Sequence, residues 1–134
     1  MTYLLDTSAI SALMREDRPM ASWLASLGSS DLVTTCAIVR GQVLFGLERL
    51  AAGRRRTELE GKAAKLLDAM ACEPVPAEAG DQYARLKALQ QRSGLPLDEN
   101  DRWIAATTLA IGATLVTRDS DFQAIEGLHR VDAQ

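Results

Sequence analysis

The sequence predicts an α/β domain: a small, mostly parallel five-stranded sheet covered by helices on both faces. Strand-like and helix-like segments alternate from end to end, which is the pattern of a parallel sheet built from crossover units. The 134 residues, 47% of them hydrophobic, suit one domain spanning residues 1–134, long enough to bury roughly two-thirds of its unfolded surface. Acidic residues directly follow apolar strand-like runs, and ligands of open α/β sheets collect at those strand ends.

The segments are read in order. TYLLD (2–6) is a short apolar run, and Thr7 and Ser8 after it can cap a helix carrying Ile10, Leu13 and Met14 on one face. PMASWLASL predicts a second helix, with Pro19 in its first turn and Gly28 beyond its end. LVTTCA (32–37) is β-branched and short, hence a strand, and apolar residues at helical spacing (Ile38, Val43, Leu44, Leu47, Leu50) predict a helix from Ala37 to about Ala52, stopped by Gly53. Thr57 to Met70 is again helical, and CEPVP reads as a strand bounded by its prolines. A long helix from about Ala77 to Arg92 is closed by Gly94 and Pro96, and another runs from Asn100 to Ile111. TLVT (114–117) is a strand, SDFQAI a short helix and HRV a last strand. No internal repeat, low-complexity tract or linker interrupts the series.

Composition removes several function classes. A net charge of −3 leaves no global footprint for nucleic acid, so any such binding is local, metal-assisted or shared with a second subunit. The N-terminus lacks the basic region of a signal peptide, and no apolar run approaches the ~20 residues of a membrane span. Cys36 and Cys72 lie in apolar contexts and read as buried free thiols of a cytoplasmic protein.

Asp6 follows YLL, Asp119 follows LVTR, Asp121 comes two residues later, and Asp101 sits in the first turn of a helix. Each has a structural explanation, since an acid in a first helical turn gains roughly 0.3–1 kcal/mol from the helix dipole. Asp6 is the hardest to explain so, because a carboxylate at the tip of a central apolar strand is costly to desolvate. Carboxylates that converge repel one another unless a cation joins them. With oxygen donors only, and a lone His129, that cation is Mg²⁺ or Mn²⁺ and not zinc in a His/Cys site.

These residues carry a family resemblance. LLDTSAIS at the start, the VRGQVLFGLERL helix, DRWIAA beginning at Asp101 and LVTRDSDF near the end resemble, in order over nearly the whole chain, a VapC toxin of the PIN-domain ribonuclease family. The resemblance implies a PIN-like three-layer α/β/α fold. It also implies a Mg²⁺- or Mn²⁺-dependent endoribonuclease toxin, usually dimeric, held inactive by a cognate VapB-like antitoxin. The RNA substrates it implies are structured cellular RNAs, often transfer or ribosomal RNA. Carried over by position, Asp6, Asp101 and Asp119 bind metal and Asp121 is auxiliary. Thr7 and Ser8 lie beside the site with Thr117 and Arg118, and Thr7, Ser8 and Arg118 are candidate RNA contacts.

The family pattern places a glutamate where this chain has Gln42. Glu48 does not replace it, since six residues turn a helix by about 600°, two-thirds of a turn off the same face. Gln42 is then an engineered inactivating substitution, a natural variant of weaker metal affinity, or part of a site completed by Glu99 or Asp98. A different class of function follows if catalysis is lost: a silent PIN-like module that binds antitoxin and regulates its operon. Among the remaining residues, Arg54, Arg55 and Arg56 suit phosphate, a partner protein or the nearby Glu58 and Glu60. Trp23, Tyr83 and Phe122 read as packing residues, Trp103 as a core residue or an RNA-stacking surface, and Arg118 faces a scissile phosphate or pairs with a neighbouring acid.

Overall fold

The computed structural model describes residues 1–134. Its elements run β1 (Thr2–Leu5), α1 (Thr7–Met14), α2 (Arg18–Ala25), β2 (Leu32–Cys36), α3 (Ala37–Glu48), α4 (Arg54–Ala69), β3 (Ala71–Glu73), α5 (Ala77–Ser93), α6 (Glu99–Ala110), β4 (Thr114–Val116) and β5 (Arg130–Val131), with a 3₁₀ turn at Ser120–Ala124. Every strand pair is parallel, so the expected mostly parallel sheet is wholly so, in the order β3-β2-β1-β4-β5.

That order explains the layers. The chain lays β2 and β3 outward from β1, then crosses back to place β4 on the other side of β1. Because such crossovers are right-handed, the outward run puts α1 to α4 on one face and the reversal puts α5 and α6 on the other. The reversal opens a crevice between the carboxyl ends of β1 and β4, where Asp6 and Asp119 stand.

The central strand is buried on both faces, as its consecutive, fully buried Leu4 and Leu5 require. Around them pack Ile10, Met20, Val39, Ile104, Leu115 and Phe122, all at most 1% exposed. Caps set the helix starts: the carboxylates of Asp6, Asp17 and Asp98 accept from the backbone N–H of Ala9, Met20 and Asp101. Gly94 ends α5 with φ +71°, a conformation that favours glycine, and its N–H bonds to the Gln90 carbonyl.

Three expectations shift. The helix expected to run to about Ala52 ends at Glu48, and α4 begins at Arg54 instead of Thr57, because Gly53 caps the start of α4 instead of stopping α3. The third strand is Ala71–Glu73 and ends before Pro74, which has no N–H to give a ladder. SDFQAI forms the expected short helix, wound as 3₁₀. Cys36 is buried as expected, but Cys72 is exposed because β3 is an edge strand. Trp23 packs as expected, edge-on to Tyr3, and Trp103 is stacked on Tyr83 at 4.0 Å between ring centres.

Candidate metal centre

Asp6 is held by three elements at once. Its backbone N–H extends the β1–β4 ladder by bonding the Val116 carbonyl at 3.1 Å. Its Oδ1 accepts from Ala9 N–H at 2.9 Å and from the Ser8 hydroxyl at 2.7 Å, and its Oδ2 accepts from the Thr117 hydroxyl at 2.5 Å. Despite these bonds, which favour the charged form, burial dominates and raises its pKa. Capping alone asks for one oxygen at a helix end. It does not ask for a carboxylate that is only 4% exposed.

Thr117 is the pivot of this arrangement, since its oxygen also accepts from the Asp119 N–H at 3.0 Å. Thr117→Val keeps the shape and removes both bonds. It is expected to lower stability by about 1–3 kcal/mol, the penalty for an unsatisfied buried group, measured by urea unfolding of metal-free protein at pH 8.

Asp98 and Asp101 enter from the start of α6, and Asp119 caps the 3₁₀ turn after β4. Asp101 is pushed up to about 7, first by burial and then by the charges of Asp98, Asp119, Asp6 and Asp121. That coupling shows that acids far apart in sequence share one field. Asp6, Asp98, Asp101 and Asp119 border a single cleft of about 560 Å³ together with Thr7, Ser8 and Gln42. Asp121 does not border it, although its charge reaches Asp101.

Gln42 lies on α3 at the cleft, where its Oε1 accepts from the Thr7 hydroxyl. Of the two acids considered as its replacement, Asp98 borders the cleft, whereas Glu99 is engaged by the Tyr83 hydroxyl and the Arg102 guanidinium. Arg118 does not border the cleft either. Its guanidinium pairs with Asp17 and bonds the Ala133 carbonyl at 2.9 Å, while its backbone N–H bonds Ser8 Oγ at 2.9 Å. Arg54 and Arg56 pair with Glu58, Glu48 and Glu60.

Sequence reasoning passed over Phe45, Arg49 and Asn100 as cleft residues. For the first two a signal existed, because residues three and seven positions after Gln42 share its helix face. A larger groove of about 750 Å³ lies between α5 and the loop at Gly127. Its one acid is Glu126, so the chemistry resides in the smaller cleft.

The donor set fits a hard, hydrated cation. All ligating atoms are oxygen, and burial plus mutual repulsion disfavour the metal-free charged state of Asp6 and Asp101. No three acids stand close enough to cage an ion by themselves. A cage suits Ca²⁺ or zinc, whereas Mg²⁺ is held by one or two carboxylates and keeps several waters.

The same electrostatics give a pH signature. A carboxyl whose folded pKa lies above its unfolded value binds more protons in the folded state, so stability falls as pH rises between the two. Metal-free protein is expected to lose stability from pH about 4 to about 7 through Asp101, with Asp6 acting in the same sense. Asp17 acts oppositely: its carboxyl is lowered to about 2 by the Arg118 guanidinium, so its contribution is lost as pH falls from about 4 toward 2. Thermal melts across pH 2–8 should show both limbs, and saturating Mg²⁺ should flatten the upper one.

Comparison with known proteins places this geometry. Residues 3–128 match the PIN domain family. VapC ribonuclease Y4jK of Sinorhizobium fredii is 35% identical over 127 residues, covering 90% of each chain. Among solved structures, VapBC-5 from Mycobacterium tuberculosis is 27% identical with a TM-score of 0.75, over 97% of this chain and 98% of that one. VapBC2 from Rickettsia felis, bound to a DNA fragment from its promoter, superposes with a TM-score of 0.88 over 98% of each chain, and at 22% identity it shows the fold alone. The acids at the β1–β4 crevice, the wholly parallel sheet and these matches together show that the chain belongs to the PIN-domain family, among the VapC toxins.

Proposed function

We propose that the chain is a metal-dependent endoribonuclease toxin restrained by a VapB-like antitoxin, and that Gln42 weakens it. The observation that carries this reading is the convergence of Asp6, Asp98, Asp101 and Asp119 on one cleft, with Asp101 pushed up to about 7 by burial and its neighbours. Relatives named as VapC ribonucleases, and solved VapBC complexes of the same fold, support the activity and the partner.

In this reading Asp6, Asp101 and Asp119 would serve Mg²⁺ or Mn²⁺, one or two of them directly and the rest through its waters, and the bound ion would supply a nucleophilic water and stabilise charge on the phosphodiester. The chain's own residues do the rest. Ser8 and Thr117 fix the Asp6 carboxylate, so both its oxygens are oriented before metal arrives. Asp98 fixes the start of α6 by accepting the Asp101 N–H at 2.8 Å, which sets where Asp101 enters the cleft. Thr7 orients the side chain at position 42.

The test is expression of this chain and of its Gln42→Glu form, with mapping of new RNA 5′ ends. The Glu form should arrest growth and produce discrete ends in structured RNA. Absence of new ends from it would overturn the reading. The presence of Gln42 also favours a second reading, a silent module that binds antitoxin and regulates its operon. There, both forms bind antitoxin and neither cleaves.

A further inference from the structure

We infer that Phe45 on α3 and Arg49 at the C-terminal cap of that helix form a substrate-positioning ridge that stacks an unpaired RNA base beside the acid cleft and takes up an adjoining phosphate. This rests on the nuclease reading above and adds the residues that position its substrate.

Phe45 is 63% exposed, the only aromatic among the exposed large apolar side chains. The ring borders two concavities, the acid cleft and a shallower one lined by Ala37, Ile38, Gly41 and Asn100, and Gln42 borders both. Phe45 is therefore a crest between adjoining grooves, one helical turn from the residue that faces the acids. The Arg49 guanidinium carbon lies 5.4 Å from the ring centre, and the ring stays largely exposed despite that contact. A flat ligand can stack on what remains.

Charge identifies the ligand. Asp6, Asp98, Asp101 and Asp119 border the cleft, and Arg49 is the single cation among its lining residues. An RNA phosphate approaching that floor meets repulsion except at Arg49 and where a bound cation would offset the acids. The net charge of −3 supplies no compensating field. Affinity must then draw in part on a contact that does not depend on charge. Base–aromatic stacking is such a contact and accepts any base. Paired bases in a duplex do not offer a face to a side chain, so the ridge selects loops or unpaired strands.

The test measures binding and cleavage separately. Binding of a labelled single-stranded oligoribonucleotide to this Gln42 chain is followed by fluorescence anisotropy in Mg²⁺, beside a duplex RNA. Phe45→Ala should weaken single-strand binding roughly tenfold or more and leave duplex binding unchanged, while Phe45→Trp retains it. Arg49→Gln should reduce the slope of log affinity against log salt by about 0.7, the loss of one phosphate contact to a single strand. In a Gln42→Glu background, Phe45→Ala should raise KM more than it lowers kcat. Unchanged RNA binding and KM for Phe45→Ala, in a Gln42→Glu protein that cleaves RNA, would overturn the ridge and leave the nuclease standing. Loss of antitoxin binding alone would assign the ridge to a peptide and overturn it equally. A Gln42→Glu protein that cleaves no RNA would instead overturn the parent reading.

Discussion

Gln42→Glu should tighten Mg²⁺ binding by more than tenfold and raise RNA cleavage at limiting metal by a similar factor. A unit charge ~4 Å from a cation contributes roughly 4 kcal/mol at an effective dielectric near 20, and half of that still exceeds tenfold. The swap is close to isosteric, and the Thr7 hydroxyl that now donates to Gln42 Oε1 can donate to a carboxylate. The gain should therefore appear without structural change. Without metal the sign reverses, because a further carboxylate joins a cleft in which Asp101 is already pushed up to about 7 by burial and by acidic neighbours. The Glu form should melt lower than this chain in EDTA at pH 8 and higher in saturating Mg²⁺. Calorimetric titration with Mg²⁺ and paired melts check both signs. Equal affinity in the two forms would show that residue 42 does not contribute to the metal field.

Asp6→Asn in the Gln42→Glu background should reduce cleavage roughly thousandfold at fixed Mg²⁺, the loss expected from one charged ligand at the same dielectric. Stability should move the other way. Asp6 is a carboxylate whose burial raises its pKa, and an amide removes the desolvation penalty of the charge. Asn keeps an oxygen for the Ala9 N–H, and the Thr117 hydroxyl can turn to accept from its amide group. Metal-free Asp6→Asn should melt a few degrees higher at pH 8 than metal-free protein that keeps Asp6. Asn is as good a helix cap as Asp, so a residue serving only as a cap would change neither activity nor melting temperature. Cleavage rates and thermal melts on the same preparations decide between the two roles.

How far the site was legible depended on what each residue's neighbours reveal. Asp6 was readable because a carboxylate at the tip of an apolar strand is costly to desolvate, and Asp119 because it follows the strand-like LVT run within LVTRDSDF. Both do stand at the β1–β4 crevice. Asp98 was harder to separate from Glu99, since adjacent acids at a helix start look alike in one dimension. They diverge in space because successive residues on a helix point about 100° apart, sending Glu99 to Tyr83 and Arg102.

Phe45 was reachable only through Gln42, from which it lies one turn along the same helix face. The fold shows that α3 buries Val39, Val43 and Leu47 while turning Phe45 outward. The strands were legible in number and order along the chain. The exposure of Cys72 was not, because which strand lies at the sheet edge is a property of topology. Arg118 illustrates the reverse difficulty, a cation next to a site acid whose partner, Asp17, is 101 residues away.

The contact between Asp6 and Thr117 spans 111 residues, and β1 gains its second neighbour only when β4 inserts beside it. A nascent copy thus carries its first acid early but lacks Asp101 and Asp119 until α6, β4 and the turn after β4 have been made. Under the nuclease reading proposed above, such a copy would have no assembled acid cleft with which to cut the message being read.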